Sequence, residues 1–507
     1  MKDDFIKAIN ASYTTDKPHI FLGCGVLNGE ILADAKINIA LSMMNRHGLI
    51  AGATGSGKTR TLQVLAEQLS HAGVSVFLSD VKGDLSGLGT PGVSNSKLEQ
   101  RAKDLGIIFS PEAVPVELYS LSGKKGAQMR ATVMEFGPIL LSKILELNDT
   151  QTGVLAIIFK YADDRQLPIV DLNDLKKVLN YLSEGEGKAE IKESYGTIST
   201  STSGTILRKI VALEQQGVNN IFGEPSFEIS DLLQKVDGKG VVSLLNVSDM
   251  QDKPAVFSTF LLSLLAELYQ TLPEAGDLDK PKLVFFLDEA HLLFKDASKA
   301  FLEQIEQIVR LIRSKGVGVF FCTQLAQDIP DTVLAQLGNR VQHVLRAFTP
   351  NDAKALKDTV KTYPKSQFYA IEEILTQMGI GQALITVLNE KGIPTAVAHT
   401  HLVPPQAVMG PLQENEYSAI LKQSEMFQKY AQGLDTESAY EMLNAKIQKQ
   451  QQIEVREQTV IKTTTSTNRK QEKTVLEEVM SSTVTKSIGR EIVRGIFGMI
   501  FGNKRRM

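Results

Sequence analysis

Cysteine is almost absent. The chain of 507 residues holds two, Cys24 and Cys322, far apart in sequence. They can build neither a disulfide framework nor a CxxC metal site, so the chain reads as reduced and cytoplasmic. An excess of one charge is missing too. Lys plus Arg is 55 and Asp plus Glu is 58, a formal net charge of −3. That excludes a uniformly basic nucleic-acid binder, while leaving room for a local basic channel. Long hydrophobic runs are also lacking. The start, MKDDFIKAIN, has no apolar stretch of the secretory kind. Runs such as Leu283–Leu287 fall far short of the roughly 20 residues a spanning helix needs. What remains is ordinary: 43% hydrophobic and 22% charged residues, enough to bury a sizeable core. The length allows about three domains, or one large domain with insertions.

Periodicity divides the chain. Residues 1–45 hold short apolar patches broken by Gly and Asp and predict a short N-terminal β segment. Residues 46–120 begin a strand–helix–strand alternation. His47–Ala51 is apolar, Thr59–Ser70 has helical spacing, and Val74–Leu78 is apolar again. This is a βαβ unit, which implies a parallel sheet. Residues 81–120 read as loop. Residues 121–235 carry helical spacing in Ile139–Leu147, Val154–Ala162, Leu172–Leu182 and Thr205–Gln216, and predict a helical insertion. The alternation resumes over 236–415, with strands at Gly240–Val247, Leu283–Leu287, Val317–Cys322, Val341–Leu345 and, last, Ala383–Val387. Residues 416–507 read as a helical or disordered tail.

The strongest signal is Gly52-Ala53-Thr54-Gly55-Ser56-Gly57-Lys58-Thr59, which fits G-x-x-x-x-G-K-[ST] between a predicted strand and a predicted helix. Glycines let backbone amides wrap a phosphate at a helix start. Lys58 is then the residue for the β- and γ-phosphates, and Thr59 for Mg²⁺. A second signal is the apolar run Leu283–Leu287 followed by Asp288-Glu289. A continuous apolar run suits a central parallel strand, whose C-terminal end faces ligands. There Asp288 is placed to hold the metal and Glu289 to act as general base. Val317–Cys322 ends in Thr323-Gln324, and Gln324 is placed to contact the γ-phosphate or the attacking water. Arg46, Arg310, Arg313, Arg340 and Arg346 are candidates for stabilising transition-state charge.

Together these residues resemble the HerA/FtsK superfamily of P-loop ATPases. The match is carried by Arg46 through Thr59, by Leu287-Asp288-Glu289-Ala290-His291, and by Lys315-Gly316-Val317-Gly318 leading to Cys322-Thr323-Gln324. Asp80-Val81-Lys82-Gly83-Asp84-Leu85, Phe222-Gly223-Glu224-Pro225 and Leu337-Gly338-Asn339-Arg340 are similar to patterns of its bacterial HerA-like members. The resemblance covers about residues 40–415. It implies an α/β fold: a RecA-like P-loop NTPase with a mainly parallel sheet, a helical insertion and a C-terminal helical tail. It further implies ATP and Mg²⁺, a homohexameric ring, and DNA translocation or unwinding. By the same resemblance, Arg46 acts on the adjacent subunit's nucleotide and Arg313 within its own subunit. In one respect the chain departs from the pattern: 45 residues precede Arg46, too few for the N-terminal β-barrel with which DNA-processing HerA docks a nuclease.

An alternative class is a nucleoside diphosphate kinase-like phosphoryl transferase that does not act on DNA, with His47 or His291 as phosphoryl acceptor. For a DNA-gripping ring, Lys124, Lys125 and Arg130 are candidate pore residues. The final segment, Ser487–Met507, is apolar on one side and basic on the other, which suits a membrane or protein contact.

Overall fold

The computed structural model describes residues 1–295, 297, 299–434 and 436–464. The tail segment Ser487–Met507 lies outside the described residues. The chain forms two compact units. The first combines Met1–Met129 with Phe227–Gln432, and the second combines Arg130–Ser226 with the described residues from Gly433 to Thr464.

The strands, in chain order, are β1 (His19–Leu27), β2 (Glu30–Ala40), β3 (Gly48–Ala51), β4 (Ser75–Asp80), β5 (Val116–Ser120), β6 (Ala127–Gln128), β7 (Lys235–Val236), β8 (Lys239–Gly240), β9 (Val242–Asn246), β10 (Leu283–Leu287), β11 (Val317–Thr323), β12 (Asn339–Gln342), β13 (Gln382–Thr386) and β14 (Ala398–Leu402). β7 and β8 form a small hairpin. The other strands make one sheet in the first unit, in the order β2-β1-β14-β13-β12-β3-β11-β10-β4-β9-β5-β6. From β12 to β6 every pairing is parallel. From β12 to β2 every pairing is antiparallel.

Burial on both faces explains the composition of the central strands. β10 (Leu-Val-Phe-Phe-Leu) and β11 are buried along their whole length, as parallel strands covered by helices are. Phe77 of β4 stacks on Phe285 of β10 at 4.5 Å between centroids. Each such side chain contributes about 2 kcal/mol by leaving water. The helix Lys58–His71 carries the crossover from β3 to β4. Its buried residues, Leu62, Leu65, Ala66 and Leu69, join the core under the sheet.

Three elements depart from the sequence expectation. Residues 1–45 are not only strand: they open with the helix Lys2–Tyr13, and β1 and β2 join the main sheet through β14. The span read as loop contains the helix Ser96–Asp104 and strand β5. The Ala383 strand is not the last, because β14 follows it. β5 pairs with β9 and β14 with β1, partners distant in sequence that periodicity does not report.

The second unit is helical. Its helices are Val133–Ile144, Asp149–Arg165, Leu172–Ser183, Lys188–Ser194, Thr200–Gln215 and Ala439–Thr464. Reciprocal caps start three of them, at Thr132 with Glu135, Asn148 with Gln151, and Asp171 with Asp174. The Asp174 carboxylate also accepts from the Tyr440 amide at 2.9 Å and from the Ser438 hydroxyl. Thus the described residues from Gly433 to Thr464 share a unit with the insertion, whereas the helices Glu414–Gln423 and Glu425–Lys429 belong to the first unit. Among the described residues, no helix is long and apolar enough to cross a membrane.

Candidate active site

Four parallel strands end at one level. Ala51 of β3 is level with Thr323 of β11. Phe321 of β11 is level with Leu287 of β10, and Leu287 is level with Ser79 of β4. The phosphate loop, Gln324, Asp288-Glu289 and the Lys82 loop therefore emerge side by side at the C-terminal edge, where open α/β sheets bind ligands.

The loop after β3 is held by its neighbours. The Gly52 amide donates to the carbonyls of Thr323 and Gln324, and the Ala53 amide donates to that of Val344. Gly52 has φ +151, and a Cβ there would lie 2.5 Å from His343 Cβ. Only glycine fits that approach. His343 is fully buried and shares a hydrogen bond of 2.9 Å with Thr61 Oγ1. Burial, and then the Lys58 charge, push its pKa down to about 4, so it underlies the loop as a neutral ring. Among the described residues, the amides of Gly55, Gly57, Lys58 and Thr59 donate to no backbone carbonyl. They form the ready-made anion cradle of a helix N-terminus. The buried Ser56 hydroxyl has no partner either.

Lys58 Nζ donates to Gly52 O at 2.6 Å and to Ala53 O at 3.1 Å, so the ammonium folds back over its own loop. Burial lowers its pKa, against the raising effect of the Cys322, Glu289 and Asp288 side chains. Asp288 is buried, and its amide donates to Ser79 Oγ. Burial, reinforced by Glu289, raises its pKa to about 6, against the Lys82 charge. Burial, and then the nearby Asp288 charge, push the pKa of the buried Cys322 thiol well up. Glu289 has φ +48, a left-handed conformation uncommon for a residue with a side chain. Its Oε1 lies 2.8 Å from Lys82 Nζ. Its Oε2 lies 3.4 Å from His291 Nδ1 but without hydrogen-bond geometry.

Lys82 is a site residue that the motif spacings do not identify. It reaches the site because buried Asp80, at the end of β4, accepts from the amides of Gly83, Asp84 and Leu85 and so fixes the following turn. Burial alone would lower the Lys82 pKa, but the Glu289 carboxylate outweighs it and raises it. The available signal was Asp-Val-Lys-Gly-Asp directly after a predicted parallel strand.

Gln324 is exposed at the end of β11, between the phosphate loop and Asp288. The donor set for a divalent cation is hard: the Thr59 hydroxyl at the helix start after β3 and the Asp288 carboxylate at the end of β10, two strands away. Oxygen donors of this kind suit Mg²⁺.

The arginines lie elsewhere. Arg46 ends the turn before β3, and Arg313 begins the turn before β11. Burial, and then the Arg46 charge, lower the Arg313 pKa. β11 runs six residue steps, about 20 Å, from their edge to the loop edge. Arg313 is thus placed away from its own phosphate loop, contrary to the expectation that it acts within its own subunit. The helix after β10 runs back across the sheet, so its C-terminal end meets the strand starts.

His47 does not reach the site. It is buried at the start of β3, its Nδ1 accepts from the Val319 amide, and burial lowers its pKa to about 4. This removes the motivation for His47 as a phosphoryl acceptor. Lys124 and Lys125 share the loop between β5 and β6, where Lys125 Nζ donates to Ser248 Oγ at 3.0 Å. Arg130 belongs to the second unit.

A family model described as "Helicase HerA-like C-terminal" matches residues 27–506. The DNA double-strand break repair helicase HerA of Sulfolobus acidocaldarius is 22% identical over 400 residues, covering 75% of this chain and 70% of that protein. Its counterpart in Sulfurisphaera tokodaii is 23% identical over 366 residues, covering 70% of this chain and 64% of that protein. Among solved structures, the bacterial conjugative coupling protein TrwBdeltaN70 in its unbound monoclinic form superposes with a TM-score of 0.50 at 14% identity, over 80% of this chain and 92% of that one. That likeness is one of fold, a RecA-like P-loop sheet. The chain belongs to the helicase HerA-like C-terminal family, and it is a P-loop ATPase.

Proposed function

We propose that the chain works in the cytoplasm as a subunit of a homohexameric ring, which couples ATP hydrolysis to moving or unwinding DNA. The observation that carries the reading is the convergence of phosphate loop, Asp288-Glu289 and Gln324 on adjacent strand ends. In this reading Gly52, Ala53, Thr54, Gly55, Ser56 and Gly57 wrap the phosphates. Lys58 leaves the carbonyls of Gly52 and Ala53 for the β- and γ-phosphates. Thr59 and Asp288 would hold Mg²⁺, which when bound neutralises charge developing on the phosphate oxygens. Glu289 accepts the proton of the attacking water, and Gln324 orients that water or the γ-phosphate. Arg46 and Arg313 serve the nucleotide of an adjacent subunit, because they lie at the strand starts, the opposite end from their own phosphate loop. Ring assembly would bring one subunit's strand-start edge against the next subunit's phosphate loop.

With a net charge of −3, a DNA-gripping ring must gather its positive charge in the pore. Lys124 and Lys125 are the candidates on the first unit, with Arg130 on the second. The test is ATP turnover at low salt with single-stranded, double-stranded and tailed DNA, because phosphate contacts weaken steeply with salt. DNA should stimulate the wild type, and Glu289→Gln should lower kcat by about 10²–10⁴-fold while retaining ATP binding. No stimulation by any DNA form would remove DNA as the substrate.

A further inference from the structure

The chain leaves β12 beside the phosphate loop, where Val344 O accepts from the Ala53 amide at 2.9 Å. It then runs through Arg346 and Phe348 into the helix Pro350–Lys361. Phe348 is 82% exposed, and among the described residues it is the one phenylalanine left exposed. The backbone that carries it is fixed all the same. The amides of Phe348 and Thr349 both donate to Asp352 Oδ2, at 3.1 and 2.9 Å, and the Asp352 amide donates back to Thr349 Oγ1. An apolar residue before the cap ordinarily packs on the fourth residue of the helix. Here that residue is Ala353, a lone methyl against a phenyl ring.

The helix continues this surface with positive charge. Lys354, Lys357 and Lys361 are exposed. At about 100° per residue they fall within about 60° of arc, and Pro350 falls in the same arc, so the stripe starts from the Phe348 end. Leu356, on the far face, packs with Ile371 and Leu375 of the helix Ile371–Gln377. That helix, with its Glu372 and Glu373, therefore covers the side away from the lysines. Asp358 flanks the stripe and pairs with Lys361 at 2.8 Å, while Asp352 is taken up by the cap. Residues 346–365 hold Arg346, Lys354, Lys357, Lys361 and Lys365 against those two carboxylates, in a chain whose net charge is −3. A basic face with a flat ring held at one end fits a single nucleic-acid strand, whose phosphates pair with cations and whose unpaired bases stack on aromatic side chains. A duplex keeps its bases stacked inside and offers nothing to the ring. The helix is also tied to the catalytic edge. Gln327 Nε2, in the turn that follows Gln324, donates to Ala355 O at 3.0 Å and to Thr359 Oγ1 at 3.3 Å.

We propose that Phe348 and the stripe of Lys354, Lys357 and Lys361 form a binding surface for single-stranded DNA. It is separate from the pore candidates Lys124 and Lys125, which lie between β5 and β6 at the other end of the row of parallel strands. This rests on the reading that DNA is the substrate. Anisotropy titration of the full chain with fluorescein-labelled oligo-dT and with a labelled duplex, over a range of salt, tests it. Phe348→Ala should weaken oligo-dT binding by at least about fivefold. Phe348→Trp should retain it, and neither variant should change duplex binding. Replacing Lys354, Lys357 and Lys361 together by Ala should lower the slope of log affinity against log salt by about 2. All these variants should keep basal ATP turnover and oligomeric mass, because the altered side chains are exposed. Wild-type oligo-dT affinity and salt slope in the variants would sink this surface while leaving DNA as the substrate. Equal loss of oligo-dT and duplex would overturn the single-strand assignment. A changed oligomeric mass would assign the ring to a contact between copies and overturn the proposal. A wild type that binds neither DNA form removes the DNA reading itself, which keeps the two failures apart.

Discussion

Glu289 occupies left-handed backbone at the end of a buried strand, and its carboxylate is held from one side by Lys82. The Lys82 side chain is 45% exposed, so the pair is worth no more than about 1 kcal/mol. That is enough to matter for orientation, since a tenfold change in rate corresponds to about 1.4 kcal/mol. Lys82→Ala is expected to lower kcat by up to about tenfold with little change in KM for ATP, and Lys82→Arg to restore most of the loss. Steady-state kinetics of the two variants decide it; a change confined to KM would mean that Lys82 contacts the nucleotide instead. The residues with a fixed chemical spacing, Lys58, Thr59 and Asp288-Glu289, were legible in the sequence because backbone amides and strand ends impose that spacing. Lys82 was not, because it reaches Glu289 only through the pairing of β4 with β10.

At the level of elements, the helix Lys58–His71 does more than start at the phosphate. Its Glu67 is buried and accepts from the amides of Gln406 and Ala407 at 2.9 and 3.0 Å. It thereby ties the Pro404-Pro405 connection to the helix. Burial raises its pKa from an ordinary 4.5 to about 7, against those amides and the Gln63 side chain. Between these values the folded chain keeps a proton that the unfolded chain releases. The group's stabilising contribution is therefore full below about pH 4.5 and is lost as pH rises through about 7. Glu67→Gln should flatten the fall of Tm between pH 5 and 8, removing a pH-dependent difference of order 2 kcal/mol. Thermal melts of both proteins across that range check it, and parallel curves would contradict it. The long apolar strands and amphipathic helices around this element were visible as periodicity. Strands β5 and β14 were not, because their stability comes from neighbours rather than from their own pattern.

For the whole molecule, the two edges of the sheet carry different halves of one proposed site. The phosphate loop and Glu289 lie at the strand ends, while Arg46 and Arg313 lie at the strand starts. If subunits complete one another, two inactive variants should rescue each other. Arg46→Ala keeps an intact loop but offers no arginine, and Lys58→Ala offers the arginine but has no working loop. Mixed after dissociation and reassembly, they should hydrolyse ATP faster than either alone, because some interfaces then pair an intact loop with an intact Arg46. A mixture no more active than its components would mean that Arg46 does not act on the adjacent subunit's nucleotide.

The sequence by itself determined the P-loop ATPase chemistry, because phosphate binding demands glycines, a lysine and a hydroxyl at fixed separations along one loop. It also determined the buried parallel strands, because covering both faces requires unbroken apolar runs. Tertiary structure alone decided which distant residues meet. Strand order brought Lys82 to Glu289 and placed Gln324 between the loop and Asp288. The same order set Arg313 on the edge away from its own phosphate loop, a side that only the path of the chain through the sheet assigns.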